Sequence, residues 1–126
     1  MSVLRPRDAD EVAAMIAAAA EEGASLELIS GGTKRALGHK VKATRQLDLS
    51  GLSGITLYEP EELVLRAQCG TSRASIEQTL AARGQMLAFE PPDFGALYGG
   101  DSGRDTIGGI VAANLSGPRR IKAGAV

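Results

Sequence analysis

Two glycine-rich segments carry the residues whose types and spacing suit chemistry. The first reads Ile29-Ser30-Gly31-Gly32-Thr33-Lys34-Arg35-Ala36-Leu37-Gly38 and directly follows a short apolar run. The second reads Thr106-Ile107-Gly108-Gly109-Ile110-Val111-Ala112-Ala113-Asn114-Leu115-Ser116-Gly117 and leads into a helical pattern. Glycine admits positive φ and lets a backbone approach a ligand closely. Successive exposed N–H groups in such a turn form a concave anion site. Thr33 and Lys34 add a hydroxyl donor and a positive charge beside the first glycine pair, which suits a pyrophosphate. The second segment opens a helix at Ile107 or Gly108, whose exposed N–H groups make a second anion site. Asn114 either adds an amide contact to a ligand or caps the helix end locally. Together the two turns predict an elongated, phosphate-bearing ligand clamped between them.

Familiar phosphate cradles do not match. In a Walker A loop a Lys and a Ser or Thr follow the second glycine, whereas His39 follows Gly38 here. The three-glycine spacing of the dinucleotide fingerprint is absent as well. The remaining polar residues favour plain readings. His39, among Lys40 and Lys42, reads as a solvated surface residue. Asp93, Asp101 and Asp105 lie in a glycine-rich stretch and read as solvated turn residues. Arg119, Arg120 and Lys122 form a small basic cluster that a phosphate or partner could meet, though a solvated charge run is commoner. No nucleophile–base pair or acid pair stands out, so any redox or transfer chemistry must come from a cofactor.

Composition excludes several classes. Fourteen basic and fifteen acidic residues leave a net charge of −1 with no basic stripe, which gives nucleic acid nothing to bind. No apolar run approaches the roughly 20 residues of a membrane helix, and the N-terminus has no signal-peptide core. Cys69 stands alone, so no internal disulfide forms. It reads as a small buried apolar residue. One Cys and one His make no zinc site. The default is a cytoplasmic domain, 126 residues long and 44% apolar. Its core must be built largely from small side chains, because Trp is absent and only Phe89, Phe94, Tyr58 and Tyr98 are aromatic.

The elements that must hold the two turns follow from periodicity. Asp8 caps a helix, with Glu11 completing a capping-box pattern. Val12, Met15, Ile16, Ala19 and Ala20 form its apolar stripe, and Gly23 stops it. Leu26 to Ser30 reads as a strand feeding the first turn, and Gln46 to Leu49 as another. Ile55–Glu59 and Leu63–Cys69 make an antiparallel hairpin, because their connection is short. The period of the second strand puts Leu63, Leu65, Ala67 and Cys69 on one face. Thr71 or Ser72 caps the next helix, with Ile76, Leu80 and the stem of Arg83 inside and Gly84 at its end. Residues 94–105 show no periodicity and read as a loop.

This order of elements, with Ser30-Gly31-Gly32-Thr33-Lys34, Cys69-Gly70-Thr71, Arg83-Gly84, Pro91-Pro92 and Thr106-Ile107-Gly108-Gly109 at their stations, resembles the N-terminal half of the PCMH-type FAD-binding domain. That is the fold of the vanillyl-alcohol oxidase flavoprotein family. The stretch from Phe89-Glu90-Pro91-Pro92-Asp93-Phe94 to Gly117-Pro118-Arg119-Arg120 is similar, more narrowly, to the FAD-binding subunits of bacterial glycolate oxidases. The resemblance implies an α+β fold with two small sheets and flanking helices. Residues 1–50 would form a first helix–strand–loop subdomain, and 51–126 the start of a second.

The resemblance also implies a reaction class. Relatives oxidise a 2-hydroxy acid such as glycolate, passing a hydride to the flavin and the electrons to an iron–sulfur partner or another acceptor. Ser30, Gly31, Gly32, Thr33, Lys34 and Gly38 match the loop around the FAD pyrophosphate. Thr106, Ile107, Gly108, Gly109 and Asn114 match the second loop along the ribityl–diphosphate region, and Pro91 joins the implied cofactor contacts. Relatives with covalent flavin carry a His in the first loop, so Thr33 and Lys34 imply non-covalent FAD. A second flavoprotein subunit and an iron–sulfur subunit are the implied partners, in the cytoplasm or held at the inner membrane through them. In the family the Lys122-Ala123-Gly124-Ala125 region continues toward an Arg-Asp pair, further FAD contacts and a substrate-binding cap domain. None of these lies within the 126 residues, so the expectation is a chain that alone has no turnover. A non-catalytic scaffold subunit of a flavoprotein/iron–sulfur complex is the alternative.

Overall fold

The structure, a computed structural model, describes residues 2–114 and 116–124. Its first long element opens at Asp8, whose carboxylate accepts the Glu11 N–H at 2.8 Å. That bond satisfies one of the donors a helix start leaves without a partner. Helix α1 runs Ala9–Glu21, and Gly23 follows it at φ +66°. The Glu11 carboxylate turns away from Asp8 and accepts the Arg7 backbone N–H at 2.7 Å and its guanidinium at 2.6 Å. The apolar stripe is narrower than the sequence predicts. Ala19 is buried and Val12 and Met15 half-buried, while Ala20 is exposed and Ile16 is 46% exposed.

Three short strands build a parallel sheet in the order β1-β3-β2, with β1 at Ser2–Leu4, β2 at Leu26–Ile29 and β3 at Arg45–Asp48. Strand β1 has no counterpart in the sequence reading, since so short a segment carries no periodic signal. Leu47 sits at the centre of the sheet, in register with Leu4 and Leu28, and is fully buried. Parallel neighbours need a crossover connection. Helix α1 lies between β1 and β2, and residues 30–44, including the first glycine turn, carry the chain from β2 to β3. The turn therefore leaves the carboxyl end of a parallel strand, where open α/β sheets gather their ligands.

The expected hairpin forms from β4 (Ile55–Glu59) and β5 (Val64–Ala67), joined by a 3-10 turn over Pro60–Glu62. The second strand is shorter than predicted at both ends. Leu63 takes the left-handed conformation at φ 57° and is 82% exposed, so it leaves the inward face that Leu65 and Ala67 keep. Cys69 follows the strand, half-buried. The buried Thr71 hydroxyl accepts the Gly54 N–H at 2.9 Å and donates to the Gly54 carbonyl at 3.1 Å, closing the hairpin's open end.

Ser72 caps helix α2 (Arg73–Ala81), which buries Ile76 and Leu80. Arg83 is exposed, so its stem does not join them. Inside the stretch expected to be a loop lies helix α3 (Phe94–Leu97). Asp93 makes it, accepting the Gly95 N–H at 3.1 Å and the Ala96 N–H at 3.3 Å on one carboxylate oxygen and the Gly103 N–H at 2.8 Å on the other. Helix α4 (Ile107–Ala113) follows the Thr106 cap, and α5 is the short turn Arg120–Ala123. Leu47, Ile76 and Ile110 are fully buried and form the core with Ala19, Leu80 and Phe94. Leu47→Ala should therefore lower unfolding free energy by about 2–5 kcal/mol in denaturant titrations. Ile16→Ala, on the exposed side of α1, should change it by no more than about 0.5–1 kcal/mol.

Candidate functional site

The two glycine turns meet. The Ser30 hydroxyl shares a hydrogen bond of 2.5 Å with the Thr106 hydroxyl. A Cβ added to Gly31 would sit 2.4 Å from the Arg104 carbonyl oxygen, and one on Gly108 would sit 2.8 Å from both the Cβ and the carbonyl oxygen of Cys69. These glycines are required by backbone-to-backbone contact. Gly32 is required by conformation, at φ +69°. Between the turns lies a cavity of about 580 Å³, with Ser30, Gly31, Gly32, Thr33 and Lys34 on one wall and Thr106, Gly108 and Gly109 on the other. Leu26, Leu28, Leu37 and Val41 supply apolar lining that the sequence reading did not single out. A concave apolar space with a few fixed polar groups is the usual form of a small-ligand site.

The walls differ in what they donate. Among the described residues, the backbone N–H groups of Gly31, Gly32, Thr33 and Lys34 have no acceptor within the protein. At the start of α4 the donors are already spent. Ile107 N–H donates to the Thr71 carbonyl and Gly108 N–H to the Cys69 carbonyl, both at 2.9 Å, and Gly109 N–H to the Thr106 hydroxyl at 3.3 Å. The expected anion site at this helix start is therefore corrected. The first turn keeps its N–H donors open, and the second wall presents a glycine surface to the cavity.

Charge sits deeper than the sequence suggests. The Lys34 ammonium lies 5.9 Å from the centre of the Phe94 ring, a cation–π arrangement. Partial burial pulls its pKa below the ordinary lysine value, and the Asp105 charge opposes that shift. Asp93 and Asp105 are not the solvated turn residues expected. Asp93 caps α3, and its carboxyl is held below the usual range, chiefly by the Gly103 N–H. Asp105 has a fully buried carboxylate with no hydrogen bond. Burial pushes its pKa up and Arg73 pulls it back. The Arg73 Nε lies 3.2 Å from Asp105 Oδ1 but off the hydrogen-bonding direction, so the contact is purely ionic. Arg73 also donates to the Pro91 carbonyl at 2.8 Å and lies 3.4 Å from Asp93. No motif marked Arg73, although its place just after the Ser72 cap fixes where its side chain starts. Asp101 is solvated, as expected.

Four residues matched to cofactor contacts do not line the cavity. Gly38 is exposed, and Ile107 is half-buried in the first turn of α4. Asn114 takes φ 51° as the left-handed cap of α4, the local role that its alternative reading gave it. Pro91 lines a separate cavity of about 430 Å³ beside Arg73. His39 is exposed, and Arg119 faces Glu90 at 3.6 Å away from the cavity. Glu27, on the cavity wall, accepts from Gln46 at 2.8 Å and Arg35 at 2.9 Å, which hold its carboxyl below the usual range. Among the described residues no cluster of His, Cys, Asp and Glu could hold a metal ion.

Comparison with known proteins agrees with this architecture. Residues 2–126 match the family model described as FAD binding domain. The chain is 38% identical over 99 residues to glycolate oxidase subunit GlcE of Escherichia coli (strain K12), covering 79% of this chain and 26% of that protein. It therefore spans about a quarter of that relative's length. Two crystal structures of alkyldihydroxyacetonephosphate synthase share its fold, each with a TM-score of 0.73 at 20% identity. They cover 98% of this chain and 22% and 23% of their own.

The Arg73–Asp105 pair generates a stability prediction. Arg73→Ala leaves a buried carboxylate without its counter-charge and should cost about 3–5 kcal/mol at neutral pH. Asp105 already has a raised folded-state pKa, so its protonated form is the one the fold favours. The deficit should shrink as the pH falls through that raised value and Asp105 takes a proton. Denaturant midpoints measured across the acidic range check the sign.

Proposed function

The chain belongs to the FAD binding domain family, of the PCMH type, and on that premise we propose that its Ser30–Lys34 turn holds the diphosphate of FAD. The carrying observation is the run of unpaired N–H groups from Gly31 to Lys34 beside a half-buried ammonium. A diphosphate fits such a donor set. The Gly108–Gly109 face packs against the cofactor from the other side, and the apolar lining at Leu28, Leu37 and Val41 takes the cofactor's less polar parts. Non-covalent attachment follows from Thr33 and Lys34, which offer no imidazole in the first loop.

The chain serves in the oxidation of a 2-hydroxy acid such as glycolate, in keeping with its 38% identity to a glycolate oxidase subunit. FAD, when bound, supplies the hydride acceptor. The chain's own residues bind and orient: the first turn fixes the phosphates, and the Ser30–Thr106 bond fixes the second wall against the first. No described side chain on the cavity wall is poised as a general base, since Glu27 is engaged by Gln46 and Arg35. These residues bind and orient, and no turnover is expected from them alone. Electrons pass to a second flavoprotein subunit and an iron–sulfur subunit. Among the described residues no helix is long and apolar enough to cross a membrane, and the assembly works in the cytoplasm or against the inner membrane through its partners. Residues 1–50 and 51–126 serve as the two lobes between which the cofactor lies.

Gly32→Val tests the reading. Its Cβ would meet only the Arg35 Cδ at 3.8 Å, so the fold has room, but the backbone holds φ +69°. The left-handed conformation should cost about 1–2 kcal/mol of stability. FAD affinity, read by flavin fluorescence quenching, should fall about tenfold or more as the cradle's donors turn, a loss worth about 1.4 kcal/mol. A wild-type chain that binds no FAD would overturn the proposal and favour the scaffold subunit, in which flavin resides in the partner alone.

A further inference from the structure

Among the described residues, Lys34 and Arg35 are the cations that line the cavity between the turns, and they are held differently. The Arg35 guanidinium is gripped on both sides by the Glu27 carboxylate, at 2.9 Å and 3.1 Å. The Lys34 ammonium makes no ion pair or hydrogen bond among the described residues. A lysine side chain is flexible, so its charge serves one place only if something seats it. That ammonium lies over the Phe94 ring, 5.9 Å from its centre, and 3.7 Å from where a Gly109 Cβ would be. It is thus set between α3 and the second wall, with the ring behind it and off the cavity wall.

Helix α3 supports the first turn at a second point as well. A Cβ on Gly95 would lie 3.5 Å from the Thr33 methyl carbon and 2.5 Å from the Asp101 carbonyl oxygen. Asp93 fixes this helix through the N–H groups of Gly95, Ala96 and Gly103, and Arg73 of α2 lies 3.4 Å from its carboxylate. The Tyr98 ring packs on Phe94 with centres 5.8 Å apart. The platform under Thr33 and Lys34 is therefore tied to α2 and not to the turn it supports.

The residue type at its head is informative. Among the described residues Phe94 is the only aromatic in the buried core, where Ala19, Leu47, Ile76, Leu80 and Ile110 are aliphatic. An aliphatic side chain would fill the space and exert no pull on the ammonium. A carboxylate would hold the ammonium and cancel its charge. A ring face attracts a cation while carrying no net charge of its own. We propose that Phe94 is a positioning residue for the anion cradle: its ring face seats the Lys34 ammonium at the cavity wall and leaves its positive charge unspent for a diphosphate. This rests on the reading of Ser30–Lys34 as the diphosphate cradle. The ring acts through Lys34 alone.

The experiment measures dissociation constants of FAD and ADP for the full chain as wild type, Phe94→Leu, Lys34→Met and the double variant. Phe94→Leu keeps an apolar filling and removes the ring face. It should weaken both ligands about fivefold, the size of a half-buried cation–π contact. In the Lys34→Met background the same change should cost less than about twofold, because no cation remains to be seated. A loss equal in both backgrounds would overturn the proposal and leave Phe94 as core filling, and so would wild-type affinity in Phe94→Leu. A wild type that binds neither ligand overturns the cradle reading itself, a separately visible result. Should Phe94→Leu not fold, a multiply fluorinated phenylalanine at position 94 decides, since it keeps the ring's shape and removes its negative face. Weaker binding is then expected, and unchanged affinity would overturn the proposal.

Discussion

At Gly31 the chain leaving β2 runs so close to the Arg104 carbonyl that no side chain fits between them. The rest of the site depends on that contact. It brings the turn after a parallel strand against the segment before α4, and the Ser30 and Thr106 hydroxyls meet across it. Gly108 repeats the device against Cys69 on the other side of α4's first turn. Each close approach exchanges side-chain burial for backbone proximity, which a chain rich in alanine and poor in aromatics can accept. Its fully buried core is correspondingly small, with Leu47, Ile76 and Ile110 at the centre.

The two glycine turns look alike as strings of residues and differ as chemistry. The first keeps its N–H groups free, because its backbone belongs to no helix or ladder. The second gives its N–H groups to Thr71, Cys69 and Thr106, and so anchors α4 to the end of the hairpin and the start of α2. One turn leaves its backbone donors open to the cavity, and the other spends its donors on anchoring a helix. Burial then arranges the charges behind them, with Arg73 facing three carboxylates, Asp93, Asp105 and Glu77, the last at 3.9 Å.

How much of this was legible depends on how local its cause is. Helix α1 was readable because Asp8 and Gly23 are short-range signals, and the hairpin because Pro60–Glu62 is a short connection. Both turns were readable as glycine runs, and their order between elements carried the family. Strand β1 was not, since its three residues are organised by pairing with Arg45–Leu47 far along the chain. Leu63 broke an otherwise regular alternation because the preceding 3-10 turn imposes a left-handed residue there. The glycines between Phe94 and Asp105 concealed α3, whose cap, Asp93, read as an ordinary turn aspartate. Asp105 is hidden in the sequence for a deeper reason. Burial is a property of the surroundings, and its surroundings come from α2, α3 and the first turn together.

The Ser30–Thr106 bond joins residues 76 positions apart. Closing so long a loop carries an entropic cost that no neighbouring contact repays until the intervening hairpin and α2 are in place. Any ligand that touched both walls of the cavity would favour this long-range closure by mass action.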